Sequence, residues 1–293
     1  MNCLLLGGTG FVGKNIMLSR PNWNWTPVGT QQADLTDRAQ TLTLKGNFDV
    51  VINCAGFYGG IPFNACHQQT ILFRNAVMAT NICELVSLIK PKKFINIGSG
   101  CIYPKSMQGC MPESYIGSID FHPSIQYSAL SKYWLLLMTQ ALGTPWEYLV
   151  LSNVYGPGEH LDFEHSHLVG SLANKIKLSD NVINMIGTGE GVRDFIYISD
   201  VCEAICRYCE LETATCSTSN ISTGLGVSVK DLTDMLIGIS QKDIHVNWGD
   251  PNDNGVLYKV LDNSKMSKDI GYIPTTPLKT GLENTWNWIQ HYD

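Results

Sequence analysis

Charge is what this sequence has least of. Asp, Glu, Lys and Arg make up 16% of its 293 residues, against roughly 25% in an average globular domain. So little charge excludes a disordered tail or scaffold, because such chains stay unfolded by carrying far more of it. Basic residues are the scarcer sign: 20 Lys and Arg face 26 Asp and Glu, a formal net charge of −6. They form no cluster, which argues against nucleic acid or an anionic membrane as partner. Long apolar runs are missing as well. The longest, Tyr133 to Met138, falls far short of the ~20 residues that span a bilayer. Met1-Asn2-Cys3-Leu4-Leu5-Leu6 lacks the basic start of a secretory leader, so the expected compartment is the cytoplasm.

What is present suits a packed α/β chain: 44% of residues are hydrophobic, and a chain of this size buries about three quarters of its unfolded surface. Ten cysteines in a chain this long and without a leader read as thiols, not as a disulfide framework. Cys202, Cys206 and Cys209 are spaced four and three apart, so they share one helix face. They read as an apolar core stripe, and no metal site is expected.

Residues 2–6 form a short apolar strand that runs into glycines and then a helix-compatible stretch. Further β-like runs recur at 48–53, 94–97 and 147–151, separated by helix-like stretches near 64–89 and 124–142. This alternation predicts a Rossmann-type, doubly wound parallel sheet with helices on both faces. Residues 1–157 are then mainly the dinucleotide domain. Residues 158–293, with polar loops around 159–166 and 247–256, make a smaller, loop-rich substrate lobe at the carboxyl ends of the strands, some of its elements returning to the sheet.

Gly7-Gly8-Thr9-Gly10-Phe11-Val12-Gly13 fits both G-x-x-G-x-x-G and G-x-G-x-x-G. Glycines there allow a tight turn, close approach of backbone to a pyrophosphate, and helix–strand contact. Following a strand and opening a helix, the motif predicts a dinucleotide site. The next strand ends in Thr30-Gln31-Gln32, with neither an acid for a ribose 2′-hydroxyl nor an Arg for a 2′-phosphate, and Asp34 lies 21 residues past Gly13. NAD(H) and NADP(H) both remain open.

Further along are Ile95-Asn96-Ile97-Gly98-Ser99-Gly100-Cys101-Ile102-Tyr103-Pro104, Asn153-Val154-Tyr155-Gly156-Pro157, Ser166-His167, Val192-Arg193-Asp194-Phe195-Ile196-Tyr197 and Lys259-Val260-Leu261-Asp262. With the glycine loop, these make the chain resemble, over almost its whole length, the extended short-chain dehydrogenase/reductases that act on nucleotide sugars. Within them the likeness is to the GDP-L-fucose synthase group of 3,5-epimerase/4-reductases. The resemblance implies Cys101 and His167 as the acid/base pair at C3 and C5, and Ser99 as the hydroxyl on the carbonyl oxygen. His122, His160 and His165 are the competing histidines. It implies a cofactor set of Gly7, Gly10, Phe11, Val12, Gly13, Asp34, Leu35, Ala55, Lys132 and Asn153. Its substrate set is Asn153, His167, Lys175, Arg193 and Lys259, contacting a nucleotide diphosphate sugar, with GDP the expected nucleotide. Lys175 replaces an Arg of the family, and Ile186 stands where an aromatic residue is usual, which loosens the base assignment. A homodimer through the helices near 64–89 and 124–142 is also implied.

One departure matters more. The family's Tyr-x-x-x-Lys puts both side chains on one helix face, but here Tyr127 and Lys132 are five apart. Either Ser128 occupies the tyrosine's place, giving an epimerase without efficient reduction, or a π-bulge or loose first turn lets Tyr127 reach the site. The second is the expectation. An epimerase or dehydratase using the cofactor transiently, and a non-catalytic dinucleotide sensor, are the competing functions.

Overall fold

Alternation along the first strand already divides the interior in two. In a computed structural model, which describes residues 1–107, 109–162, 164–251 and 255–292, β1 (Asn2–Leu6) sends Cys3 and Leu5 to one apolar layer and Leu4 and Leu6 to the other. A strand buried on both faces belongs at the centre of a parallel sheet covered by helices. Beside it run β2 (Asn24–Val28), β3 (Val50–Asn53), β4 (Lys93–Ser99), β6 (Trp146–Leu151) and β11 (Ser217–Ile221). Together they form one sheet in the order β11-β6-β4-β3-β1-β2, every pairing parallel.

One layer holds α1 (Phe11–Ser19) and α7 (Ile198–Glu210); the other holds α2 (Arg38–Thr43), α4 (Gln68–Ile89) and α5 (Gln126–Gln140). The short α3 (Ile61–Cys66) precedes α4. By length and composition alone α4 is apolar enough to cross a membrane. It buries Ile71, Ala79, Ile82, Leu85 and Val86, most of them in the layer shared with the sheet and α5, as a core helix does. All ten cysteines are free, and Cys202, Cys206 and Cys209 lie buried on α7 among the apolar residues of its layer. Burial pushes the Cys206 thiol up to about 11, as expected of a packing residue.

The rest of the chain builds the lobe: β5 (Cys110–Met111), β7 (Asn153–Tyr155), α6 (Leu168–Leu178), β8 (Val182–Asn184), β9 (Val192–Arg193), β10 (Phe195–Tyr197), β12 (Val227–Ser228), α8 (Val229–Ser240), β13 (His245–Asn247), β14 (Tyr258–Leu261), α9 (Ser264–Ile270) and α10 (Leu278–Gln290). Helices α6, α8 and α10 bury a third core around Leu172, Ile176, Leu232, Leu236 and Ile289. The division at residue 157 is crossed repeatedly: α7, β11 and Met266 of α9 go back to the sheet and its layer, β10 pairs with β7, and β14 pairs with β5. Residues 252–254 of the second polar loop lie outside the described residues.

A buried polar chain crosses one layer beneath the strand ends. Asn53 Nδ2 donates to Asn96 Oδ1 at 2.8 Å, and Asn96 Nδ2 to Thr139 Oγ1 at 2.6 Å. Each bond is one that a slipped register would leave unmade at a cost of about 1–3 kcal/mol. The chain therefore fixes β3, β4 and α5 relative to one another, and with them the residues at their ends.

Candidate active site

At the end of β1 the chain turns through Gly7 at φ +78°, a conformation that disfavours any side chain. The turn is tied to β2, because the N–H groups of Gly7 and Gly8 both donate to Val28 O, at 2.9 and 3.0 Å. A Cβ on Gly7 would lie 2.7 Å from the Ala55 nitrogen, and one on Gly13 would overlap the Gly7 carbonyl oxygen. Gly10 is the N-cap of α1 and brings no capping side chain. The first N–H groups of that helix, including those of Phe11 and Val12, therefore face the cleft without intrahelical partners, as an anion site requires. Ala55 N donates to Asn53 Oδ1 at 3.0 Å. Asp34 Oδ1 accepts from Thr36 N and Oγ1 at 2.9 and 2.7 Å, which holds its carboxyl below the usual range. Leu35 is buried, and its carbonyl accepts from Asn81 Nδ2 at 2.9 Å.

At the end of β4 a single 3₁₀ turn, 100–102, carries the chemistry-bearing pair: Ser99 is its N-cap, accepting from Cys101 N at 3.4 Å, and Cys101 is a half-buried free thiol. Two ammonium groups close on this turn. Lys132 Nζ, from α5, donates to Ile97 O at 2.8 Å. Lys259 Nζ, from β14, donates to Gly100 O at 3.0 Å. Burial pushes Lys259 down to about 8 and also lowers Lys132, while the Cys101 thiol opposes both shifts electrostatically.

The insertion before Lys132 is not absorbed by a bulge. Helix α5 is regular from Gln126, with Ala129 N bonded to Ile125 O at 2.9 Å in ordinary α register. A five-residue step turns about 500°, so Tyr127 lies about 140° around the helix from Lys132, and buried Ser128 stands one turn before the lysine on its face. This corrects the expectation of a π-bulge: Ile125, Gln126 and Tyr127 already make a standard first turn, so nothing forces a wider one. Tyr127 is half-buried.

His167 is the N-cap of α6. Its side chain is exposed to solvent, while the protein packed around it lowers its pKa below the ordinary imidazole value. What holds it is a residue the sequence reading passed over. Glu159, 4% exposed, accepts from His167 N through Oε1 at 3.0 Å, while its Oε2 makes no close hydrogen bond among the described residues. Burial pushes that carboxyl up to about 8. Its place two residues after the Gly-Pro of the Y-G-P motif was the available signal. The competing histidines are tied locally: His165 Nδ1 to Asp162 at 2.7 Å, with His160 4.0 Å from the same carboxylate, and His122 Nδ1 to Ser124 Oγ at 2.8 Å.

Toward the lobe, pairing of β7 with β10 sets Asn153 beside Asp194, whose carbonyl accepts from Asn153 Nδ2 at 2.8 Å. Asp194, also missed, accepts from Thr223 and Gly224 and so anchors the strand next to Arg193. The Arg193 guanidinium, half-buried, donates to Val192 O at 2.8 Å, and no carboxylate pairs with it among the described residues. Lys175 Nζ, at the last turn of α6, donates to Asn184 O at 3.0 Å.

Comparison with known proteins agrees with this geometry. The model of the NAD dependent epimerase/dehydratase family matches residues 3–221. The chain belongs to that family. It is 27% identical over 300 residues to GDP-L-fucose synthase 1 of Arabidopsis thaliana, covering 96% of this chain and 91% of that one. Among solved structures, a GDP-6-OMe-4-keto-L-xylo-heptose reductase from C. jejuni superposes with TM-score 0.92 at 19% identity, covering 99% of this chain and 97% of that one. A GDP-L-fucose synthetase from Naegleria fowleri, bound to NADP, superposes with TM-score 0.89 at 19% identity, covering 99% and 92%.

The family's dinucleotide fits the residues present. In this chain the glycine turn leaves the bare α1 N-terminus for phosphates, and Lys132 supplies a buried cation further along the cleft. At the β2 end Gly29 N donates to Gln32 Oε1, a neutral arrangement that offers neither a carboxylate for a 2′-hydroxyl nor a guanidinium for a 2′-phosphate.

Proposed function

We infer that the protein is a nucleotide-sugar epimerase/reductase acting on an NDP-4-keto-6-deoxy-hexose, with GDP as the nucleotide. The observation that carries this reading is the turn at the end of β4, where a Ser hydroxyl and a free Cys thiol stand two residues apart and the ammonium groups of buried Lys132 and half-buried Lys259 donate to the carbonyls of Ile97 and Gly100. A ketone at C4 makes the hydrogens on its neighbours acidic. Cys101 and His167 take up and return those protons at C3 and C5, His167 being neutral near pH 7 and hence able to accept one. Ser99 donates to the ketone oxygen as charge develops on it. NAD(P)H, when bound, supplies the hydride to C4. Lys132 binds the nicotinamide ribose, and reduction requires the Tyr127 hydroxyl, about 140° around α5 from Lys132, to reach the C4 oxygen with its proton. Arg193, with Lys259 and Lys175, meets the diphosphate, for which an unpaired guanidinium is suited.

Deuterium exchange from solvent into C3 and C5 of GDP-4-keto-6-deoxymannose tests this directly. Exchange without cofactor, lost about 100-fold or more in both Cys101→Ser and His167→Asn, is the expected result; no exchange by the wild type overturns the reading. The regular α5 favours one alternative, epimerisation without efficient reduction, with Ser128 in the tyrosine's place. Loss of activity in Ser128→Ala and its retention in Tyr127→Phe would establish that alternative. The protein is further proposed to be a cytoplasmic homodimer. Its ten free thiols suit a reducing compartment, and Phe73 of α4 with Leu130, Trp134 and Leu137 of α5 leaves large apolar side chains exposed on the paired helices.

A further inference from the structure

Lys132 is an ammonium only 8% exposed, and it takes part in none of the ion pairs among the described residues. Burying a cation without a counter-ion is costly, so whatever compensates it is under strong constraint. One backbone carbonyl, Ile97 O, accepts from it. On the helix face where the family's spacing would bring an aromatic ring toward this lysine stands Ser128, whose side chain is too short to cover it.

The ring comes from elsewhere. Tyr58, in the loop between β3 and α3, lies with its ring centroid 4.9 Å from Lys132 Nζ. Its hydroxyl is 3.0 Å from Ser131 Oγ, which in turn donates to Ser128 O at 2.9 Å. Two further features hold the ring there. A Cβ on Gly56 would lie 2.5 Å from Tyr58 Cε2, so the ring folds back over its own loop only because residue 56 is glycine. The preceding residue is clamped by buried Asn75, which accepts from Phe57 N at 2.8 Å and donates to Phe57 O at 2.9 Å. A desolvated ammonium over an aromatic face is the geometry in which that interaction is strongest.

We propose that Tyr58 is a positioning residue for Lys132: its ring face holds the ammonium that the displaced helical tyrosine no longer meets, and so presents it to the cofactor ribose. This rests on the reading above that Lys132 binds that ribose. Tyr58 is not assigned as the proton donor at C4, since its hydroxyl is engaged with Ser131 Oγ at 3.0 Å.

The test needs no sugar. Dissociation constants for NADH and NADPH are measured by nicotinamide fluorescence on the full-length wild type, Tyr58→Leu and Tyr58→Phe. The tighter cofactor is expected to bind about tenfold more weakly to Tyr58→Leu and within about twofold of wild type to Tyr58→Phe, which keeps the ring. Deuterium exchange at C3 and C5, which depends on Cys101 and His167, should stay within about twofold in Tyr58→Leu. Wild-type binding by Tyr58→Leu overturns the proposal, as does equal weakening in Tyr58→Phe, which would assign the effect to the Ser131 bond. A parallel loss of exchange and cofactor binding also overturns it, by showing a general structural role. If Tyr58→Leu does not fold, Tyr58→Met, which keeps apolar bulk without the ring, is read in its place. Absence of exchange by the wild type would sink the sugar assignment and leave the binding comparison standing.

Discussion

The two ends of the cleft meet anions with different materials. At the cofactor end there is backbone: the Gly7 turn, the bare N-terminus of α1, and glycines whose Cβ atoms would strike Ala55 N or Gly7 O. At the sugar end there are side chains: Arg193, with no carboxylate paired to it among the described residues, and half-buried Lys259 against the Cys101 turn. Backbone donors are fixed once the chain folds and cost nothing further to aim, but they tolerate no added atom. Buried cations can be placed by packing, yet they weaken the fold until an anion arrives. One end should therefore fail by steric overlap and the other by loss of charge.

The largest effect is expected at the backbone end. Gly13→Ala puts a methyl group into Gly7 O and Gly8 Cα, backbone atoms that cannot step aside. Overpacking of this kind costs about 1–3 kcal/mol. Titration should show cofactor affinity down at least ~30-fold, and calorimetry a Tm lower by about 5 °C; wild-type values would mean the loop is not the phosphate cradle.

Arg193→Met should act in the contrasting way. KM for the sugar nucleotide rises ~30-fold or more, as expected when a charged phosphate contact is removed, while the cofactor dissociation constant holds. Because the variant sheds a half-buried cation that no carboxylate pairs with among the described residues, its Tm should equal or exceed that of the wild type. A fall in Tm with unchanged KM would make Arg193 a structural residue and erase the comparison.

Glu159→Gln is the smallest and sharpest test. The wild-type carboxyl has a pKa of about 8 when folded, against the ordinary 4.5. The folded state holds this proton more tightly than the unfolded state, so the wild type loses stability from this group as pH rises from 4.5 to 8. Gln has no proton to lose. The Tm advantage of the variant should be near zero at pH 4.5 and grow to several degrees by pH 8, with exchange activity preserved because the bond from His167 N survives. A pH-independent difference would show that Glu159 is already ionised in the fold.

How much of this was legible follows the distance over which each feature acts. The glycine loop, the Ser99–Cys101 turn and the strands near 50, 95 and 148 could be read directly, because each is written within a few consecutive residues. The spacing anomaly at Tyr127 and Lys132 was visible too, but its resolution was not. A bulge and a regular helix differ in packing around the first turn, and the regular form leaves Ser128 on the lysine's face. Lys175 and Lys259 could be named as basic residues near the substrate, while their carbonyl partners Asn184 and Gly100 could not. Tyr58 escaped because nothing in its immediate neighbours gives it a role, while Glu159, just past the Y-G-P motif, and Asp194, beside Arg193, were marked only by position and not by their partners.

By itself the sequence determined the alternation of strand and helix, the steric demand for glycine at the first turn, and the shortage of basic residues. Periodicity, backbone freedom and composition are properties of short stretches or of the whole count. Tertiary structure alone decided which ring covers Lys132, which carboxyl holds His167, and which carbonyl Lys259 meets. These depend on residues from eight to more than a hundred positions apart meeting in one place, and that meeting is set by how the layers pack around the sheet.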